Sequence, residues 1–259
     1  MRTGIRPVMM IQIQRQVKMM TNLSNLSDKI KQWGETAPKE IDESFIVYKE
    51  ELLDWNKKFN LTRTTSDQGI YLEHFLDSLI PLKYTIIDDY ETMLDLGSGP
   101  GFPGLPLKLA KPGIKTCLLE SNFKKVRFLK ALIRKLEIPE IEVYHVRAEE
   151  LAHDQLHRNG YSLVVNRAVS SLNVVSEISL PFLNRGGRLL VWKTVEQFEN
   201  EQKEAQAALK LLGGSIKNTF EYQLSKNRNP YLIVEIEKTG LTPDKYPRNV
   251  GIPQKRPLS

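Results

Sequence analysis

Apolar positions along this chain change their period once, shortly before residue 90, and the change divides it into two kinds of structure. In the first part they recur at three and four residues. Leu23, Leu26 and Ile30 predict a helix over Asn22 to Trp33, and Ile46, Leu53 and Trp55 predict another over Glu40 to Phe59. The polar run Asn60 to Ser66 interrupts them. A third helix is expected over Asp67 to Leu82, opened by a Ser66 or Asp67 cap, striped by Ile70, Phe75, Leu76 and Leu79, and stopped near Pro81. Beyond it, compact apolar runs alternate with helical segments. Strands are expected over Thr92 to Leu96, Lys115 to Glu120, Ile141 to Val146, Ser162 to Asn166 and Arg188 to Lys193, with helices near 104–111, 122–136, 149–157 and 171–184. That alternation is the mark of βαβ units and a mostly parallel sheet covered on both faces. A charged amphipathic helix over Glu196 to Leu212 then precedes Ile216 to Leu224 and Tyr231 to Glu237, two runs that read as a hairpin closing the sheet. The organisation expected is a leader over 1–20, a helical extension over 21–84, an α/β domain over 85–238 and a basic, proline-rich, solvated tail over 239–259.

Composition narrows the class. At 259 residues and 41% hydrophobic content the chain can bury one large α/β core. No apolar run approaches the roughly 20 residues of a membrane span. The first residues lack the apolar core of a secretory signal, so a cytoplasmic protein is expected. A single cysteine, Cys117, excludes an intrachain disulfide and any multi-cysteine metal site. His153 and His157 are spaced four apart with no third ligand in sight, so no metal is expected, and His74, near Asp77, reads as a hydrogen-bonded structural residue rather than a base. The net charge of +6 and a pI near 9.2 point weakly to a polyanionic partner such as RNA.

The stretch Met93 to Gly104 carries the chemistry. Asp95 and the glycines Gly97, Gly99 and Gly101 follow the first strand, where positive φ and missing side chains let backbone approach a ligand. Gly99 to Gly104 also fits the dinucleotide fingerprint, so an NAD-dependent enzyme competes. A pyrophosphate loop works through backbone N–H groups aimed at phosphate. Pro100 and Pro103 each delete one such donor, and Asp95 adds an anion. Those changes suit S-adenosylmethionine, whose methionine end carries an ammonium and a sulfonium. Glu120, ending the second strand, occupies the place of a ribose-binding acid, or is a solvated strand-end carboxylate. Arg147 to Glu150 border an adenine ring, or Glu149 and Glu150 are first-turn acids of a helix.

Asp95 to Gly104, Phe123 to Leu129 and Asn166 to Leu172 together resemble the bacterial RsmG (GidB) family of 16S ribosomal RNA guanine-N7 methyltransferases. So do Trp55 to Thr62, His74 to Leu79 and Tyr246 to Arg248. The resemblance runs over about residues 40–258. It implies a Rossmann-like class I methyltransferase fold, α/β, with a mostly parallel seven-stranded sheet and one antiparallel strand. It also implies that Gly97, Phe102, Ala148, Glu149 and Arg167 contact S-adenosylmethionine, with Val146, Arg147 and Asn122 as weaker candidates. The implied target is a guanine in the 530 loop, conventionally numbered 527, on the small ribosomal subunit.

Guanine N7 carries a lone pair and no proton, so methyl transfer to it needs alignment and no general base. Consistent with that, Asn166-Arg167-Ala168-Val169 stands where amino-group methyltransferases place an Asn/Asp-Pro-Pro-aromatic motif. Arg167 offers a fork of donors that orients guanine or donor, or else pairs with a neighbouring acid. Asn229-Pro230-Tyr231 imitates the amine motif from the late hairpin and is set aside. For RNA contact the candidates are Arg63, Lys124, Lys125, Arg127, Arg134 and Lys193, the last with a structural alternative. Phe123, Val126, Phe128, Leu129 and Leu132 interleave at helical spacing and are expected in the core rather than as base-stacking platforms. Competing readings are N7 methylation of another RNA such as transfer RNA, and a non-catalytic assembly factor of the small subunit. A monomer is expected.

Overall fold

The computed structural model describes residues 25–84, 86–87, 90–167, 170–225 and 229–258. The expected leader, the pair 168–169 and the tip of the hairpin lie outside them. Helices α1 (Leu26–Gln32) and α2 (Ile41–Phe59) come first. Helix α3 follows over 67–83, and Ser66 caps it by accepting the Gly69 N–H. Strand β1 (Thr92–Leu96), α4 (Gly104–Ala110), β2 (Lys115–Leu119), α5 (Phe123–Lys135), β3 (Ile141–Tyr144), α6 (Ala148–Leu151) and β4 (Tyr161–Arg167) form the first half of the sheet unit. Then come α7 (Leu172–Ser179), β5 (Leu183–Thr194), α8 (Val195–Leu212), β6 (Gly214–Tyr222), β7 (Tyr231–Lys238) and α9 (Ile252–Lys255).

The seven strands are ordered β3-β2-β1-β4-β5-β7-β6, and β7 alone runs against the rest. The order reverses between β1 and β4, so a crevice opens at their carboxyl ends. Side chains alternate between two faces along each strand. Met93, Leu118, Leu163, Val165, Leu190 and Trp192 join a core with α1 to α5, whereas Leu94, Leu96, Cys117, Val164, Leu189 and Val191 join a second core with α6, α7 and α8. The helical extension therefore completes one face of the sheet.

Four expectations change. Pro81 does not end α3, which runs on to Lys83. A proline inside a helix lacks the N–H that would reach the carbonyl four residues back, here Asp77. The indole N–H of Trp192 donates to that carbonyl at 3.1 Å instead. Second, the helix expected over 149–157 is only one turn, because Asp154 folds its carboxylate back onto the Leu156 N–H and closes an Asx turn. Third, Phe123 is 59% exposed, while Val126, Phe128, Leu129 and Leu132 are buried as expected. Fourth, the tail is docked. Arg248 clasps the fully buried Glu177 through its backbone N–H, Nε and Nη2 at 2.6–2.9 Å. Arg158 donates to the Thr242 and Tyr246 carbonyls, and Asn173 to that of Leu258. A basic tail stays solvated only if no acid waits for it. Here a buried carboxylate does.

Candidate active site

The loop after β1 is fixed from below. Gly97, Gly99 and Gly101 have φ of 75°, 58° and 105°. At Gly101 a Cβ would come within 2.4 Å of the Tyr48 hydroxyl, which donates to the Pro100 carbonyl at 2.5 Å. Glu120 receives the Gly99 N–H at 2.8 Å on one oxygen and the Asn122 N–H at 2.7 Å on the other. Asp95 is fully buried beneath the loop and accepts the Gly104 N–H at 2.8 Å through Oδ2, while Oδ1 has no hydrogen-bond partner among the described residues. Burial pushes its carboxyl up to about 7, against the pull of the Gly104 N–H and of Arg167. Asp95, Gly101 and Glu120 thus shape the loop from behind.

Two cavities meet at Gly97. The narrow one, about 210 Å³, is bordered by Gly97, Ser121, Val146, Arg147, Ala148, Glu149 and Ile178. The wide one, about 610 Å³, is bordered by Gly97, Gly99, Phe102, Thr62, His74, Lys125, Arg167, Lys193 and Tyr222, among others. Glu149 is buried, and its Oε1 accepts the Gly251 N–H at 3.0 Å and Arg147 Nη2 at 3.2 Å. Burial opposes its ionisation, but the backbone donors and Arg147 outweigh that and hold the carboxyl below the usual carboxylate range.

The wide cavity is organised around Arg167. Its Nη1 pairs with Asp77 Oδ2 at 2.6 Å and donates to the Glu73 carbonyl at 3.1 Å, and its Cζ lies 5.4 Å from the Phe102 ring centroid. The central part of α3, Ile70–Leu76, is a π-helix. There the Asp77 N–H reaches Leu72, one residue past its α-helical acceptor, which is Glu73. The Glu73 carbonyl serves Arg167. Tyr222 donates to Asp77 Oδ1 at 2.5 Å, so the carboxylate of Asp77 ties α3, β4 and β6 together. Burial pushes the Asp77 carboxyl up while Arg167 and Tyr222 pull it down. His74 stacks on Phe102 at 4.5 Å, and Phe102 on Tyr48 at 5.3 Å. The His74 Nε2 lies 2.8 Å from Thr62 Oγ1. Burial first, then the Arg167 charge, lowers His74 to about 4, so its ring is neutral near pH 7.

The basic candidates divide. Lys125 borders the wide cavity, Arg63 is exposed on the loop before α3, and Lys124 lies over the Phe59 ring at 5.7 Å. Arg127 lies 6.0 Å from the Phe123 ring centroid. Arg134 is roughly 15 Å further along α5 at 1.5 Å per residue and borders a separate hollow with Lys130 and Tyr144. Lys193 is buried, pairing with Glu201 at 2.7 Å and donating to the Ser170 carbonyl at 2.6 Å. Its charge is already matched inside the fold. The sequence alone does not single out Tyr48, Trp192, Tyr222 or Gly251, and it marks Asp77 only as a neighbour of His74. Among the described residues, no cluster of three His, Cys, Asp or Glu is arranged to hold a metal, and no helix is long and apolar enough to cross a membrane.

Comparison with known proteins places this geometry. The family model of rRNA small subunit methyltransferase G (GidB) matches residues 41–229. The ribosomal RNA small subunit methyltransferase G of Listeria monocytogenes is 40% identical over 214 residues, covering 83% of this chain and 90% of the relative. That of Streptococcus sanguinis is 41% identical over 217 residues, covering 83% and 91%. Among solved structures, the fold is shared with M. jannaschii TYW2 in complex with AdoMet, at a TM-score of 0.51 and 14% identity, over 68% of this chain and 79% of that one. It is shared equally with a putative transferase from Pyrococcus horikoshii, at a TM-score of 0.51 and 12% identity, over 67% and 64%. A match across most of the chain at this identity is decisive, and the chain belongs to the rRNA small subunit methyltransferase G family.

Proposed function

We propose that the chain transfers a methyl group from S-adenosylmethionine to N7 of the 530-loop guanine in 16S rRNA, acting as a cytoplasmic monomer. The observation that carries this reading is the meeting of two cavities at Gly97, one suited to the donor and the other to a base. The residues present fit the donor. A Cβ added at Gly99 would find no atom closer than 4.0 Å, so the loop leaves an open cradle. The narrow cavity joins apolar walls from Val146, Ala148 and Ile178 to an ionised carboxylate at Glu149, a setting for a flat ring with polar edges. Bound there, S-adenosylmethionine supplies a methyl group activated by its sulfonium.

The protein's own part is orientation. Arg167 presents a planar fork of five donors, and Nη1 alone holds Asp77 and Glu73. The remaining donors serve the carboxylate of the donor or O6 of the guanine, leaving N7 unblocked. His74 is neutral and bonded to Thr62, and Asp77 is paired with Arg167, so neither is set to take a proton. A lone pair on N7 asks for none. Lys125 at the cavity border, and Arg63, exposed next to the cavity-lining Thr62, supply positive charge for phosphate.

The test is tritium transfer from labelled donor to small subunits taken from cells lacking this gene, followed by mapping of N7-methylguanine by aniline cleavage. Label at one guanine of the 530 loop is expected. Label in transfer RNA, or in no RNA, would overturn the reading.

A further inference from the structure

One aromatic ring beside the donor cavity has no packing role. Phe123 opens α5 at 59% exposure, and it is the one aromatic among the exposed large apolar side chains of the described residues. A single exposed apolar side chain means little by itself. Its surroundings give it meaning. The Arg127 guanidinium carbon lies 6.0 Å from the ring centroid. The His145 ring lies 5.5 Å away, inclined at 50°, with Nε2 3.0 Å from the Ser121 carbonyl. Arg127, His145, Lys124 and Arg147 are all exposed. Ser121 and Arg147 border the narrow cavity and Lys125 borders the wide one, so Phe123 lies in the chain between a residue of each.

An apolar protein partner would require a contiguous apolar patch, and this ring instead has an arginine guanidinium and an imidazole against it. A polyanion that carries flat rings matches it better. Single-stranded nucleic acid is held in this way, with bases stacked on aromatic side chains and phosphates drawn to neighbouring Arg and Lys. We propose that Phe123, flanked by Arg127 and His145, is a stacking platform for an unpaired base of the RNA substrate, outside both cavities and distinct from the place of the target guanine. The choice of RNA rests on the methyltransferase reading. The platform fixes the strand on which the target lies, so it acts on RNA affinity and leaves donor binding untouched.

The experiment uses the full chain and a fluorescein-labelled, short single-stranded oligoribonucleotide, with affinity read by anisotropy and S-adenosylmethionine binding by calorimetry. Phe123→Ala is expected to weaken RNA binding about tenfold, a loss typical of one stacked base. Phe123→Trp, which keeps a flat ring, restores it, and donor affinity stays at the wild-type value in both. Unchanged RNA affinity in Phe123→Ala overturns the proposal. So does a parallel loss of donor affinity, which would make the ring part of the donor cavity wall. Methyl transfer by the wild-type chain is assayed alongside. A chain that binds RNA through Phe123 yet transfers no methyl keeps the platform and removes the enzymatic reading.

Discussion

The two cavities are built by opposite means. The narrow one draws on short stretches at strand ends, Gly97, Ser121 and residues 146–149. The wide one is assembled from side chains of the helical extension, the glycine loop, β4, β5 and β6, joined by pairs as far apart in sequence as Asp77 with Arg167, Trp192 and Tyr222. On the proposed reading, the donor is met by local structure and the acceptor by a network of residues far apart in sequence, which puts the helical extension on the acceptor side of the site.

Asp77→Asn tests that division most severely. It leaves Arg167 without its charge partner in a place where the two side chains are 13% and 11% exposed. Methyl transfer should fall on the order of 100-fold through misplacement of the guanidinium. Donor affinity measured by calorimetry should change far less. Equal losses in both would mean that the cavities are one unit. Glu149→Gln makes the reciprocal cut: it keeps an acceptor for the Gly251 N–H but removes the charge, and donor binding should weaken about tenfold. The Michaelis constant for small subunits should hold steady.

Trp192→Phe is a gentler probe of the acceptor side. It leaves the Asp77 carbonyl, already without an α-helical donor because of Pro81, with no indole N–H. A loss of about 1–3 kcal/mol is expected in urea unfolding, with the denaturant slope unchanged.

The smallest effect is on pH dependence. His74 falls from 6.5 to about 4 on folding, so between those values the unfolded chain binds the extra proton and stability declines as pH drops. Asp95 rises from 3.8 to about 7, so there the folded chain holds the extra proton and stability declines as pH climbs. The two slopes oppose one another, and thermal melting of the wild type should be nearly flat between about pH 4 and 6.5. Asp95→Asn should unmask the His74 slope, with melting temperature rising with pH, and His74→Gln should unmask the reverse.

What could be read from the chain follows the same division. The strands and helices of the α/β unit and the glycine loop were legible because period and turn chemistry are local properties, whereas the single reversed strand came only with the family resemblance. Gly97, Ala148 and Glu149, also implied by that resemblance, border one cavity at the ends of β1 and β3. Arg167 was legible as a residue and not in its company: nothing near it in sequence announces Asp77, and no periodicity reveals that the centre of α3 is π-helical. The tail misled because its charge suggested solvent, while the buried Glu177 had already claimed Arg248; Lys193, for which a structural role stood open, pairs with the half-buried Glu201.

The docked tail has a consequence for inherited damage. A premature stop or a frameshift just after β7 would leave every strand, the whole glycine loop and Arg167 encoded. It would nevertheless remove Arg248, the partner of Glu177, and Gly251, whose N–H holds Glu149. Such an allele would look harmless on a map of motifs, yet its product would have lost the backbone donor that holds Glu149 in the narrow cavity.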